Sequence, residues 1–131
     1  DPYLHALIAR ISAAKIVSGM GERPTLVHLG QFGLASFTTG SGCIAPKACM
    51  ALLKALKAQD AVAARAIYDR FMALETLRDS ISLIRVLHDA VTLSGVADMG
   101  AHLPLLSASP ADRMGDIQRT ALELLASEQD F

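Results

Sequence analysis

The chain has 131 residues, the size of one domain rather than two, with twelve basic and thirteen acidic side chains. Hydrophobic residues make up 52% and charged ones 19%, which supplies a core and excludes intrinsic disorder. Balanced charge, 5% aromatics and no Trp leave neither the basic stripe nor the stacking platform a nucleic acid requires, and no apolar run reaches the roughly 20 residues of a membrane span. No nucleic-acid or membrane partner is therefore expected.

Residues 3–14, YLHALIARISAA, place Leu4, Leu7, Ile8 and Ile11 at helical spacing and predict an amphipathic helix. KIVSG at 15–19 is a short β-branched pair closed by Ser-Gly and predicts a buried strand. A helix follows near Pro24 to Leu29, closed by Gly30 and Gly33. LASFT at 34–38 is the second buried strand. Helix, strand, helix, strand is the alternation of an α/β protein, so Ile16–Ser18 and Ala35–Thr38 should be parallel neighbours joined by a right-handed crossover. Two parallel strands alone make a marginal sheet, so further strands upstream of Asp1 are expected to complete it. The opening at Asp1 without Met reads either as processing or as the later part of a longer chain.

After Pro46 the pattern is helical throughout. KACMALLKALKAQD puts Cys49, Leu52, Leu53 and Leu56 on one face, and the next stretch repeats it with Ala63, Ile67, Phe71 and Leu74. A third helix carries Ile84, Leu87 and Val91, with Gly95 as C-terminal cap. AHLPLLSAS reads as a loop. Ser109-Pro110 then opens the last helix, whose stripe is Met114, Ile117, Ala121 and Leu124.

The stretch FGLASFTTGSGCIAP, residues 32–46, is the densest in glycine and hydroxyls. A phosphate loop needs Lys-Ser or Lys-Thr directly after its last glycine, whereas Gly42 precedes Cys43-Ile44. The glycine spacing of a dinucleotide site is absent as well. Two readings remain open: a strand end turning into a helix, or a strand C-terminus whose hydroxyls and amides face a small ligand, as active sites of parallel α/β folds do. SGMGER, after the first strand, has the same character. His5, His28, His88 and His102 show no metal-ligand spacing, so no metal is expected and structural roles are assigned to them. Cys43 and Cys49 match neither a zinc motif nor a disulfide framework and read as reduced, mostly buried thiols, with a cytoplasmic location as the expectation. Lys47, Lys54 and Lys57 read as a solvated helix face, and Lys15 precedes a strand at the end away from a site.

Taken in order, IVSGMGE, GLASFTTGSGCIAP, AARAIYDRFMALETLRD, IRVLHDAVTLSG and GAHLPLLS resemble the C-terminal half of the dihydrodipicolinate synthase and N-acetylneuraminate lyase family, over nearly the whole chain. The resemblance implies an α/β fold: the C-terminal part of a (β/α)8 TIM barrel, strands 7 and 8 in residues 1–58, followed by an all-helical extension in residues 59–131. It implies a Schiff-base-forming lyase, synthase or dehydratase of the class I aldolase type, acting on pyruvate or a related 2-keto acid without a cofactor, in a homo-oligomer that is commonly a tetramer. The Schiff-base lysine and proton-relay tyrosine are expected upstream of Asp1, so no catalytic residue is assigned here and the chain alone should be inactive. Ser18 and Gly19 match the substrate-facing end of the seventh strand. Thr38, with Thr39 and Gly40, matches the rim beside the pyruvyl group, and Glu22 matches a position that contacts substrate hydroxyls in some members. Thr38 stands where an aliphatic residue is usual, Cys43 where asparagine is common, and Met20-Gly21 replaces an often acidic pair, which leaves the substrate open. The alternative is a non-catalytic helical module for interaction or oligomerisation.

Overall fold

Six α-helices and one pair of very short strands make up the regular structure of residues 1–131 in a computed structural model. In chain order these are α1 (Pro2–Ile11), β1 (Val17–Ser18), α2 (Thr25–His28), β2 (Ser36–Phe37), α3 (Pro46–Lys57), α4 (Ala61–Ser80), α5 (Leu83–Leu93) and α6 (Met114–Ala126). Short 3-10 turns occupy Ala13–Lys15, Ser41–Cys43, Ala111–Arg113 and Ser127–Asp130.

Local chemistry explains most of the helix starts. Pro2 and Pro46 sit in the first turns of α1 and α3, where a missing N–H costs nothing. Asp1, Asp60 and Ser82 accept the N–H groups of Leu4, Ala63 and Arg85 and so cap α1, α4 and α5. Gly95, at φ 78°, ends α5 in the left-handed conformation that glycine adopts most readily. Ser109-Pro110 does not open α6 as the sequence predicts. Those residues lead into the Ala111–Arg113 turn, α6 begins at Met114 without a side-chain cap, and the Ser109 N–H is drawn to Asp89 Oδ2 at 2.9 Å.

The core lies among α3, α4, α5 and α6, where Leu52, Phe71, Leu74, Val86, Ile117 and Leu124 are sealed from solvent. Three of the predicted stripes hold. Cys49, Leu52 and Leu56 of α3, Ile67, Phe71 and Leu74 of α4, and Ile117, Ala121 and Leu124 of α6 are buried. The α5 stripe is rotated: Val86, Ala90 and Val91 face the core, Leu87 is half-buried, and Ile84 is 65% exposed. On α1 only Leu4 is buried, and Ile11 faces solvent.

The strands pair in parallel, Val17 opposite Ser36 and Ser18 opposite Phe37. Bonds from Ala35 N–H to Ile16 O (3.0 Å) and Thr38 N–H to Ser18 O (2.8 Å) extend the ladder at each end. The expected parallel neighbours are therefore present. The expected fold class is not: 63% of the residues are helical and 3% are strand, so this is a mostly helical protein and not an α/β TIM-barrel portion. The physical reason lies in the apolar runs. Each strand-like run is cut within a few residues by glycine, serine or threonine, whereas the 3.6-residue pattern persists through most of the chain after Pro46. Ile16 and Phe37, beside and within the two strands, are half-buried and pack against the core. Cys43 is exposed rather than buried, and Cys49 is buried as expected. No helix is long and apolar enough to cross a membrane.

Candidate functional site

β1 and β2 run in the same direction, so their C-terminal ends open side by side. The residues that follow, Gly19 to Gly21 and Thr38 to Gly40, form one wall of a cleft of about 430 Å³. The other wall is the C-terminal end of α4 and the start of α5: Glu75, Arg78, Asp79 and Leu83. Arg23 and Pro24 complete the mouth, where Arg23 Nε pairs with Asp79 at 2.5 Å in a half-exposed ion pair. Gly19, Thr38, Thr39 and Gly40, four of the six residues predicted from sequence, thus line one cavity.

Ser18 and Glu22 lie behind the wall rather than on it. The buried Ser18 hydroxyl bonds His28 Nδ1 at 2.8 Å. Glu22 is fully enclosed; its Oε1 accepts from the Thr39 hydroxyl and, at 3.3 Å, from the Cys49 thiol, while Oε2 has no partner. Burial pushes the Glu22 carboxyl above its ordinary range, the Thr39 hydrogen bond opposes this, and the nearby Glu75 charge adds to the rise. Burial likewise pushes the Cys49 thiol up to about 12, the charge of Glu22 adding to it, so Cys49 stays a thiol and is no nucleophile. Thr39, which also accepts the Gly42 N–H at 2.8 Å, links this buried carboxyl to the cleft wall.

Glu75 and Arg78 were missed by sequence reasoning. Both are buried, in an ion pair of 2.5 Å from Arg78 Nη1 to Glu75 Oε1, and the Ser41 hydroxyl donates to the same oxygen at 2.7 Å. Arg78 Nε donates to Leu83 O at 3.3 Å, while Nη2 donates to no acceptor in the chain. Gly40 leaves room for that Nη2: a Cβ at residue 40 would stand 2.6 Å from it. The signal was in the sequence. Glu75 and Arg78 are opposite charges three residues apart, beside the apolar stripe of Phe71 and Leu74, where solvated charges do not belong.

The arrangement offers a buried guanidinium with a free edge beside the chain that follows two strand ends, a setting that suits a small carboxylate or another planar anion. No lysine lines it, and Lys15, Lys47, Lys54 and Lys57 are all exposed. A second cleft, of about 400 Å³, lies between α2 and the α3–α4 turn, but its polar residues Gln31, Gln59, Asp60 and Arg65 all face solvent. Among metal-ligating side chains one group stands out, His88, Asp89 and His102, none of which lines either cleft. The sequence showed no metal spacing there because thirteen residues separate Asp89 from His102. No protein-family model, curated protein or solved structure matches the chain.

Proposed function

We propose that the cleft at the strand ends binds the carboxylate of pyruvate or a related 2-keto acid, as part of a Schiff-base-forming lyase, synthase or dehydratase. The observation that carries this reading is Arg78: a buried guanidinium, held on one side by Glu75 and Leu83, with Nη2 left over beside Gly40. The ordered resemblance of the sequence to pyruvate-handling class I aldolases points to the same substrate class. In that chemistry a neutral lysine amine adds to the keto carbon, water leaves, and the iminium draws electrons from the bond being made or broken. The nucleophilic lysine and the relay tyrosine are supplied from outside these residues, since the four lysines here face solvent.

The test has two parts. Pyruvate titrated against labelled protein should shift the amide signals of Gly19 and Gly40, and Arg78→Lys, which keeps the charge beside Glu75 but loses the fork, should weaken the effect about tenfold. Pyruvate with borohydride should leave the mass unchanged. Unmoved cleft amides overturn the binding role, and an adduct on any of the four lysines overturns the placement of the nucleophile.

A non-catalytic interaction module is the second reading. It is favoured by Leu83, Ile84, Leu103 and Leu105, each more than half exposed. Association in sedimentation velocity that Ile84→Glu abolishes, with no response to pyruvate, would select it.

A further inference from the structure

We propose that His88, Asp89 and His102 form a three-ligand site for a divalent transition-metal ion, zinc by its ligand preferences, which fastens the loop after Gly95 onto α5. His88 and Asp89 are consecutive on α5, and His102 is carried back to them by the loop. The two imidazole rings lie with centroids 3.9 Å apart, tilted by 37°. One nitrogen from each ring and one Asp89 oxygen lie within 4.8 Å of one another.

The carboxylate is already oriented. Asp89 Oδ2 accepts the Ser109 N–H at 2.9 Å, and Oδ1 meets His102 Nε2 at 2.7 Å. A backbone donor that holds the far oxygen of a carboxylate is the kind of outer support that metal ligands have. The second, independent observation is what the protein leaves unpaired. His102 has a side chain only 6% exposed, yet its Nδ1 is buried without a partner. His88 Nδ1 and the Ser109 hydroxyl are buried without partners in the same place. A closed structural network would satisfy these atoms, because buried polar groups in folded proteins almost always find a partner. These orphans leave the cluster unfinished as a purely structural network: a cation between Asp89 Oδ1 and His102 Nε2 fills its centre, and buried water meets His102 Nδ1, the ring nitrogen that faces away from the ion.

Ligand chemistry selects the class of ion. Two imidazoles and one carboxylate suit zinc and its first-row neighbours, whereas calcium and magnesium prefer all-oxygen shells. Ligand atoms around a tetrahedral zinc stand roughly 3.4 Å apart, given metal–ligand distances of about 2.0–2.2 Å. The widest pair, within 4.8 Å, therefore closes by up to about 1.4 Å, the Asp89 Oδ1–His102 Nε2 pair opens from 2.7 Å, and the ion takes the place of the proton those two share. A fourth position remains for water. The loop has reason to need a fastener: residues 95–101 and 103–108 are exposed, and its other side-chain ties are Thr92 Oγ1 to Met99 N–H at 3.1 Å and Arg85 Nη2 to Ala108 O at 2.5 Å. The site is independent of the cleft that follows the strands, with which it shares no residue.

Chelator-treated full chain is titrated with Zn²⁺ and separately with Co²⁺. The expected result is one equivalent bound, visible d–d absorption of four- or five-coordinate Co²⁺, and slower protease cleavage within residues 95–108. Asp89→Asn should weaken binding at least tenfold, and His102→Ala should abolish it. If His102→Ala does not fold, His88→Ala, at a half-buried position, serves in its place once circular dichroism matches the wild type. Absence of stoichiometric binding overturns the site. So does binding that survives in the folded histidine variant, or that is lost instead in His5→Ala or Cys43→Ser, which would place the ion at the amino terminus or at the exposed thiol.

Discussion

Glu22 and Gly40 show how much a single position can do in this protein. A carboxyl raised above its ordinary 4.5 binds its proton more tightly folded than unfolded. Stability from Glu22 is thus present in full below 4.5 and lost as pH rises through the raised value. Glu22→Gln keeps an oxygen for Thr39 and Cys49 and removes the charge. Urea unfolding should show the variant gaining on the wild type by about 1 kcal/mol between pH 4 and pH 7, and an unchanged difference would refute the assignment. Asp89 acts with the opposite sign in a lower window. Burial alone would raise its carboxyl, but the hydrogen bonds of Ser109 and His102 hold it below 3.8, so its contribution is lost only in stronger acid. Gly40→Ala should cost about 1–3 kcal/mol, because its Cβ meets an Arg78 side chain that Glu75 and Leu83 hold in place. Gly19→Ala, with nothing within 4 Å of the new carbon, should unfold at the wild-type urea concentration. At this scale the cleft was half legible. Gly19, Thr38, Thr39 and Gly40 could be read because strand ends announce themselves by small and polar residues. Arg78 could not be placed, because helical spacing tells which residues share a face but not which neighbour's backbone that face will meet.

Among the elements, α3 shows how a helix start can be secured from far away. Its N-cap residue is Ala45, which offers no side-chain acceptor. The buried Glu128 carboxylate does so instead, accepting Ala48 N–H at 2.8 Å and Lys47 N–H at 3.1 Å. Those are two of the helix's unpaired donors, and the negative charge sits at the positive end of the helix dipole. Glu128→Ala should therefore destabilise the protein by about 1–2 kcal/mol, measured by urea unfolding, with Glu128→Gln recovering part of the loss through its carbonyl oxygen. A cap eighty residues distant in sequence leaves no local signature. The helices themselves were legible because their apolar spacing runs over many turns. The rotation of α5 was not: Ile84, Leu87 and Val86, Ala90 define two adjacent stripes, and packing on α4 and α6 chose the second.

For the molecule as a whole, alternation of short elements near the amino terminus was outweighed by packing after Pro46. Two strand signals read from KIVSG and LASFT were real, and they pair as expected. Extending them to a barrel rested on resemblance, and the helices around Phe71 form the core without one. Phe71→Ala, at a side chain with no exposure, should cost about 3–5 kcal/mol, a large share of a small domain's 5–15 kcal/mol. Calorimetry should find a lowered, broadened transition, and a midpoint unchanged from wild type would show that the core lies elsewhere. The far-off cap of α3 also has a bearing on synthesis. A ribosome adding 5–20 residues per second needs about 4–16 s to travel the 81 positions from Lys47 to Glu128. For that interval the start of α3 has emerged while its carboxylate partner has not, so the first turn of a core helix waits for a residue made 81 positions later, and the order of folding is set against the order of translation.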